Sequence, residues 1–318
     1  MASNATSSER TSGVVARTRR HGESAAVAVA SALAPLAATM HDAAGSAGGR
    51  IEARALHRYR VAMRRSRSLL GAFKALFDKP ARRRFRTDFA WLNSGTGRLR
   101  DLDVLLDDLD QAARDGDVPA QVHVFVRARR DEEHWCVLRL FNSPRYASMM
   151  REWSQALHGL ALAGEQTDYS MAAAVDHALE RQFERVTRHI AHWHSKPRYG
   201  ALHRVRKDLK HLRYLIEAFT DLFPERELAR IQHDLRDLQD LLGEVCDRHA
   251  QRELVQAWLA SPLVTADPTL YAALTSFVTS LHPAALDATA RALAERLQRF
   301  RTVKNRARYA RLRQAAMA

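Results

Sequence analysis

Glycine and proline are scarce in this chain, with 13 and 9 occurrences among 318 residues. Turns are therefore few, and alanine, leucine and arginine dominate, which is typical of long helices. No stretch shows the sustained alternation of apolar and polar residues that marks a half-buried strand. These absences argue against a β-rich fold and predict an all-α protein.

Cysteine is nearly absent, because the chain has only Cys136 and Cys246. They are far apart in sequence and match no metal-ligand spacing, which favours a reducing, cytoplasmic location over a disulfide-stapled secreted fold. The P-loop pattern G-x-x-x-x-G-K-S/T is also missing. The sequence therefore offers no glycine-rich loop of that kind for a single phosphate.

Acidic residues are too few to balance the basic ones. The chain has 36 Asp and Glu against 50 Lys and Arg, which leaves a formal net charge of +14. An anion is therefore the expected partner. The length predicts two domains, or one fold made of two similar halves.

Long, strongly apolar runs are missing as well. The basic residues 17–20 and the alanine-rich run 25–40 together resemble a signal peptide. However, the run is short and weakly apolar for a membrane span, and its residues have a counterpart later in the chain. We therefore expect a core helix and no membrane partner. Residues 1–20, rich in Ser, Thr and Arg, are predicted to form a disordered basic tail.

Two basic helix faces with the same spacing are the most informative pattern. At about 100° per residue, each set of four cations falls within an arc of about 80°. The first basic stripe is His57, Arg60, Arg64 and Arg67, and the second basic stripe is His203, Arg206, Lys210 and Arg213. Each stripe is about 15 Å long, from a rise of about 1.5 Å per residue. Because guanidinium groups bind phosphate oxygens in pairs, such a row suits a linear polyanion.

The face opposite each stripe is apolar, so each helix can bury one side. The predicted core residues are Tyr59, Met63, Leu69, Leu70, Phe73 and Phe77 in the first helix and Val205, Leu209, Leu215, Ile216, Phe219 and Phe223 in the second.

The two stripes belong to a longer internal repeat, in which His57 and His203 are 146 residues apart. The same shift places Ser24 on Ser170 and Asp101 on Asp247 without a gap. This match predicts an ancestral duplication and two pseudo-symmetric, antiparallel helical bundles, residues 24–163 and 169–318, within one domain overall.

Acidic residues near the stripes allow other interpretations. An arginine-rich face can be plain solvated surface, but acidic i+4 partners are rare here and only Asp208 and Glu217 intrude. Asp101 and Asp247 are predicted to cap a helix or orient stripe arginines. The aspartates at 103, 107 and 110 share a face and could hold a divalent ion, yet a solvated acidic stripe is the favoured interpretation. No metal site and no catalytic residue are predicted.

Several segments closely resemble the CHAD family, the conserved histidine α-helical domain. They are H-x-x-R-V-x-x-R-R-x-R in the first half, H-x-x-R-x-x-x-K-x-x-R-Y in the second, and G-R-L-R-D-L-D and L-Q-D-L-L-G after them. The resemblance covers Ser24 to the C-terminus. It implies two helical bundles related by pseudo-symmetry, a basic central groove or cavity, and binding of inorganic polyphosphate, often at polyphosphate granules.

The resemblance also implies a set of site residues. The matching positions are His57, Arg60, Arg64, Arg65, Arg67, His203, Arg206, Lys210, Arg213 and Tyr214. His211, included as a further polyphosphate contact, stands where the family usually has arginine, and Cys246 stands where the second repeat commonly has asparagine. The second stripe is therefore expected to bind more weakly or with more pH dependence.

The expected function is non-enzymatic binding of inorganic polyphosphate, without a cofactor, in the cytoplasm and at polyphosphate granules. The E-x-E-x-K motif of a fused triphosphate-tunnel domain is missing, so a stand-alone module is expected. Nucleic-acid binding is the main alternative, although the stripes contain few aromatic residues for stacking on bases. A polyphosphate-metabolising enzyme would need a nucleophile or metal-bound water among the stripes.

Two properties of the site follow from its charge. Arginines around an empty site should lower the pKa of His57 and His203, and bound polyphosphate should raise it, so affinity is expected to increase as pH falls from about 8 to about 6. The sequence leaves open whether the stripes share one cavity or form two sites.

Overall fold

The described part of the chain is helical throughout, which confirms the all-α prediction. The computed structural model describes residues 23–45, 49–114, 120–165, 169–280 and 285–317. The predicted tail, residues 1–20, lies outside the described residues. The helices are α1 (Ala25–Gly45), α2 (Ala53–Ala72), α3 (Lys79–Gly95), α4 (Gly97–Arg114), α5 (Ala120–Phe141), α6 (Pro144–Gly164), α7 (Met171–Ser195), α8 (Tyr199–Ala218), α9 (Glu225–Leu259), α10 (Pro262–Thr265), α11 (Pro268–Ser280), α12 (Ala285–Phe300) and α13 (Val303–Met317).

Serine caps begin three of these helices. The sequence predicts caps at Ser24 and Ser143, and the repeat places Ser170, where the second half was expected to begin, on Ser24. The hydroxyl of Ser24 accepts a hydrogen bond from the backbone N–H of Val27, at 3.3 Å. Ser143 and Ser170 accept equivalent bonds at the starts of α6 and α7. Each bond satisfies one of the backbone donors that a helix start leaves without a partner.

Helix starts repeat along the chain with the spacing seen in the sequence. The helices α7, α8 and α9 begin 146 residues after α1, α2 and α3, and short 3₁₀ turns recur at Lys74–Leu76 and Thr220–Leu222. Ser24 and Ser170 form an antiparallel bridge that joins the starts of the two halves. The secondary structure thus repeats as the residues do, while the duplication that would explain this stays a prediction.

The stripe helices are shorter than predicted. They were expected to run on to Phe77 and Phe223, but they end at Ala72 and Ala218. Phe73 and Phe219 leave helical geometry there, and their rings meet edge to face with centroids 5.4 Å apart. The two halves therefore contact each other at the points where the stripe helices end.

The long helix α9 differs from its counterpart in the first half. Two glycines and a serine at residues 93–97 predict that the helix bends or breaks there. The chain does break around Thr96, so that α3 and α4 are separate helices. At the corresponding positions Leu241 and Leu242 replace Gly95 and Thr96, and α9 continues unbroken to Leu259. The sequence predicts a separate helix at residues 253–260, but these residues belong to the end of α9. It also predicts one helix from residue 283 to the C-terminus, where the structure has two, α12 and α13.

The predicted apolar faces of α2 and α8 lie in the core. All of the residues predicted to be buried on these faces are at most 8% exposed. The helix α1 packs on α2 and α6, while α7 packs on α8 and α13. A smaller second core joins the end of α9, at Val255 and Trp258, to α4 and α5 of the first half.

The helix α1 is longer and more apolar than expected. It has 21 residues and a mean hydropathy of 1.2, so by length and composition it could cross a membrane. In the fold its residues Val29, Leu33 and Met40 are fully buried against neighbouring helices. These contacts are those of a core helix.

Candidate anion-binding site

The two basic stripes meet where α2 packs on α8. Burial, and then Arg206 and Arg64, lowers the pKa of Lys210 to about 8. Burial also lowers the pKa of His57, and Arg100, Arg64 and Lys210 lower it further. Cations of the first stripe thus act directly on a cation of the second. The stripes lie close enough to form one site.

Arg60 is a buried member of the first stripe. One of its terminal nitrogens donates hydrogen bonds to the carbonyl of Asn93, at 3.0 Å, and to the hydroxyl of Thr96, at 2.7 Å. Arg60 is only 9% exposed, and burial together with Arg64 lowers its pKa to about 10. The break between α3 and α4 supplies both acceptors. Arg60 therefore ties α2 to this junction.

Arg206 occupies the matching position in the second stripe but is held differently. It donates a 2.9 Å hydrogen bond to the Asp247 carboxylate. This contact confirms the prediction that Asp247 orients a stripe arginine. Because Leu242 replaces Thr96 and α9 does not break, no hydroxyl is available there, and the carboxylate takes its place.

Arg65 and Arg213 share one carboxylate, so only part of their positive charge is balanced. Arg65 donates to Glu217 at 2.6 Å, and Arg213 Nε lies 3.3 Å from the other oxygen of Glu217. Both guanidinium groups lie over the ring of Tyr214, at 5.5 and 5.6 Å from its centroid. Tyr214 is 3% exposed, so its buried ring packs beneath the two guanidinium groups and stabilises them through cation–π contacts.

Buried donors without acceptors are concentrated in the stripes. Within the described residues, the Nε atoms of Arg60, Arg64 and Arg206 and the Nδ1 atom of His203 are buried and have no hydrogen-bond partner. A buried donor left unpaired costs about 1–3 kcal/mol. An anion that brought several oxygen acceptors to the site would remove this cost.

Arg67 and His211 lie beside the stripe centre and line a neighbouring pocket. Burial lowers the pKa of Arg67, and Arg86 lowers it further. Burial also lowers the pKa of His211 against the opposing effect of Asp208, whose carboxylate binds His189.

Some contributors were missed at the sequence level. Thr96 and Arg100 lie at and after the break between α3 and α4. The glycines there predict the break, but they do not show that the Thr96 hydroxyl accepts a hydrogen bond from Arg60. Asp103 was expected to be solvated, but it is 4% exposed and receives a 3.0 Å hydrogen bond from Arg130. Asp110 binds His123 instead of sharing a cation with Asp103. Among the described residues, no group of three or more His, Cys, Asp or Glu is placed to hold a metal ion.

Replacing Thr96 with valine is expected to lower the free energy of unfolding by about 1–3 kcal/mol, because the buried guanidinium of Arg60 loses its closest acceptor. Urea unfolding followed by circular dichroism measures this change. Thr87→Val is the matched control, since the Thr87 hydroxyl bonds only to a carbonyl of its own helix at an exposed position. Equal effects of the two substitutions would contradict the role of Thr96.

Comparison with known proteins gives consistent results. A model of the CHAD domain matches residues 27–256. The chain is similar to the CHAD domain from the plant Ricinus communis, with a TM-score of 0.70 and 22% identity over 87% of this chain and 93% of that one. It is also similar to PptA from Streptomyces chartreusis, with a TM-score of 0.65 and 17% identity over 86% of this chain and 99% of that one. No curated protein sequence matches it.

The family match covers most of the described helices, including both stripe helices and the segments that hold their arginines. The two solved relatives share the fold over nearly their whole length. This chain belongs to the CHAD domain family.

Proposed function

We propose that this protein binds inorganic polyphosphate, without chemically changing it, at the site where the two basic stripes meet. The observation that carries the proposal is the cluster of buried side-chain nitrogens without hydrogen-bond partners on Arg60, Arg64, Arg206 and His203. The CHAD family is associated with polyphosphate binding, which supports the same ligand. We also propose that the protein acts in the cytoplasm, at polyphosphate granules.

A linear ligand fits the arrangement better than a single phosphate. The donors are distributed along two helices over several turns, whereas a lone phosphate is usually held by one helix start or one loop. Asn93, Thr96 and Asp247 fix the inner arginines before any ligand arrives. Such preorganisation lowers the entropy cost of binding a flexible chain.

Nucleic acid is a weaker candidate because the aromatic side chains at the site are not free to stack on bases. Tyr59 and Tyr214 are buried, and Tyr199 already stacks on His249. Single-strand binding relies on exposed aromatic rings between cations.

Catalysis also lacks support from the described residues. Two carboxylates at the stripes, Asp247 and Glu217, are paired with Arg206 and Arg213. A carboxylate paired with arginine is poorly suited to act as a nucleophile or base, because its charge is already compensated. Burial raises the pKa of Asp101 against the opposing effect of Arg60, and no metal-binding group of three or more His, Cys, Asp or Glu lies beside it among the described residues.

A competition titration tests the proposal. Labelled long-chain polyphosphate is bound at physiological salt, then DNA is added at equal phosphate concentration while free phosphate is monitored. We expect polyphosphate to stay bound, no phosphate to be released, and affinity to fall linearly with the logarithm of salt concentration. Displacement by DNA would refute the choice of ligand, and phosphate release would refute binding without catalysis.

Binding is expected to strengthen as pH is lowered from about 9 to about 7. Lys210 has a pKa of about 8 in the free protein, and a bound polyanion raises that pKa by favouring the charged form. The complex therefore takes up a proton within this range. His57 and His203, whose pKa values lie below the usual 6.5, add to the effect at lower pH.

Calorimetry in two buffers with different ionisation enthalpies measures the proton uptake directly. Lys210→Arg keeps the charge but does not titrate in this range, so the variant should bind with a flat profile between about pH 9 and pH 7. An unchanged pH dependence in this variant would show that another group is responsible.

A further inference from the structure

A second strongly basic pocket lies beside the stripes, between α2, α3, α7 and α8. Its volume is about 1150 Å³. Four of its cations come from α3: Lys79, Arg82, Arg83 and Arg86. The sequence has three consecutive arginines at residues 82–84. Arg82 and Arg83 line this pocket, whereas Arg84 binds Glu152 on α6. Among the described residues that line the pocket, none is Asp or Glu.

The opposite wall continues the positive charge. Arg181 and Arg185 project from α7, and Arg67 and His211 belong to the stripe helices. Arg181 donates a 2.7 Å hydrogen bond to the carbonyl of Ala72, which fixes this wall to the end of α2. The pocket is therefore framed by four helices that the core already holds in place.

The cations added by α3 and α7 have no counterparts in the other half. A shift of 146 residues relates Lys79, Arg82 and Arg86 to Glu225, Leu228 and Gln232, and relates Arg181 and Arg185 to Pro35 and Thr39. The helices occupy matching positions in the chain, so the fold itself does not require these cations.

The two halves of the repeat also differ in one carboxylate. Glu217 of α8 binds both Arg65 of α2 and Arg213 of α8. The corresponding residue on the other side is Gly71, which lines the pocket and offers no carboxylate to Arg67 or His211. Added cations and the missing carboxylate both concentrate unbalanced positive charge on one side.

We propose that this pocket is a second phosphate-binding subsite, into which a polyphosphate chain held by the stripes extends past Arg67. The inference rests on the proposed function and adds a length preference to it. Arg67 belongs to the first stripe and also lines the pocket, so the two sites are continuous. A long chain occupies both sites, whereas a short one is held by the stripes alone.

The exposed side chain of Lys207 adds to this continuity. Burial and then Lys207 lower the pKa of His203, and Lys207 is also among the cations that lower the pKa of His211. Lys207 therefore lies between a stripe histidine and a pocket histidine. A phosphate chain that leaves the stripes meets positive charge along the whole path.

Gly71→Glu tests the subsite by placing in the pocket the carboxylate that the other half has. A Cβ atom added at Gly71 meets no atom within 4 Å, so the substitution fits. Gly71→Gln is the matched neutral control. We expect Gly71→Glu to weaken long-chain polyphosphate binding roughly tenfold relative to Gly71→Gln. The affinity for tripolyphosphate should change much less, because Arg67 is the one member of the two stripes that lines this pocket.

The outcomes separate this inference from the proposed function. If the unaltered protein bound neither ligand, both would fail. If it bound long chains, and the Glu and Gln variants bound them equally, only the subsite would be refuted. Equal weakening of both ligands by Gly71→Glu would also refute it, because the pocket would then be the primary site.

A second pair of variants tests the cations without adding a charge. Arg82→Ala/Arg86→Ala removes two pocket cations, and Arg226→Ala/Arg230→Ala removes two exposed cations of α9 outside the pocket. We expect only the first variant to lose the preference for long chains. The same loss in both variants would refute the subsite and indicate a general charge effect.

Discussion

Replacing both Arg64 and Lys210 with alanine is expected to lower the affinity for long-chain polyphosphate by at least about a hundredfold. These two half-buried cations lie where the stripes meet, and each lowers the pKa of His57. A hydrogen bond to a charged group contributes about 1.5–3 kcal/mol, so losing two costs at least about 3 kcal/mol. Isothermal titration calorimetry at fixed salt measures the change.

The fold should tolerate this double substitution. Among the described residues no hydrogen bond or ion pair is seen for Arg64 or Lys210, and removing both relieves their mutual repulsion. Far-ultraviolet circular dichroism should therefore be unchanged. The control Arg226→Ala/Arg230→Ala removes the same charge elsewhere and should weaken binding only slightly. Comparable losses in the two variants would mean that net charge, not the site, drives binding.

Replacing Trp153 with alanine is expected to lower the free energy of unfolding by about 3–5 kcal/mol. Trp153 is fully buried on α6, and its ring contacts Phe77, Phe85 and Phe89 at centroid distances of 6.2, 4.8 and 5.2 Å. The substitution leaves a large cavity between α6, α3 and the turn after α2. Denaturant unfolding monitored by circular dichroism gives the change.

Trp135 provides the matched control for this experiment. It is 61% exposed on α5, so Trp135→Ala should change stability by less than about 1 kcal/mol. A similar loss in both variants would show that the effect belongs to tryptophan removal in general and not to the core around Trp153.

Periodicity predicted the parts of this protein that depend on one helix at a time. The buried faces of α2 and α8 follow from residue spacing, and the starts of α1, α6 and α7 follow from Ser24, Ser143 and Ser170. In each case the deciding interaction is between residues three or four positions apart, which a sequence displays directly.

The roles of individual cations depend on partners from elsewhere in the chain, and the sequence could not assign them. Arg60 looks like Arg64 on a helical projection, yet only Arg60 reaches the acceptors at Thr96 and Asn93. Arg65 lies 152 residues from Glu217, its carboxylate partner. The contact between Phe73 and Phe219 at the ends of the stripe helices likewise joins residues that are 146 positions apart.

The pocket on the α3 side shows the same limit. Arg82, Arg83 and Arg84 are consecutive, so their side chains leave different sides of α3. The sequence does not show which of them lie near another helix. Arg82 and Arg83 are assigned to the proposed subsite because they line the same pocket as Arg181 and Arg185 of α7.

The small core at the end of α9 has a consequence for how the protein folds. Val255 and Trp258 come from the second half of the sequence, but they are buried against α4 and α5 of the first. The two halves therefore share an apolar interior across the boundary between the repeats. A chain truncated at that boundary would leave Leu102, Leu105 and Leu109 of α4 without their apolar neighbours on α9, so we expect the first half alone to be less stable than it is within the whole protein.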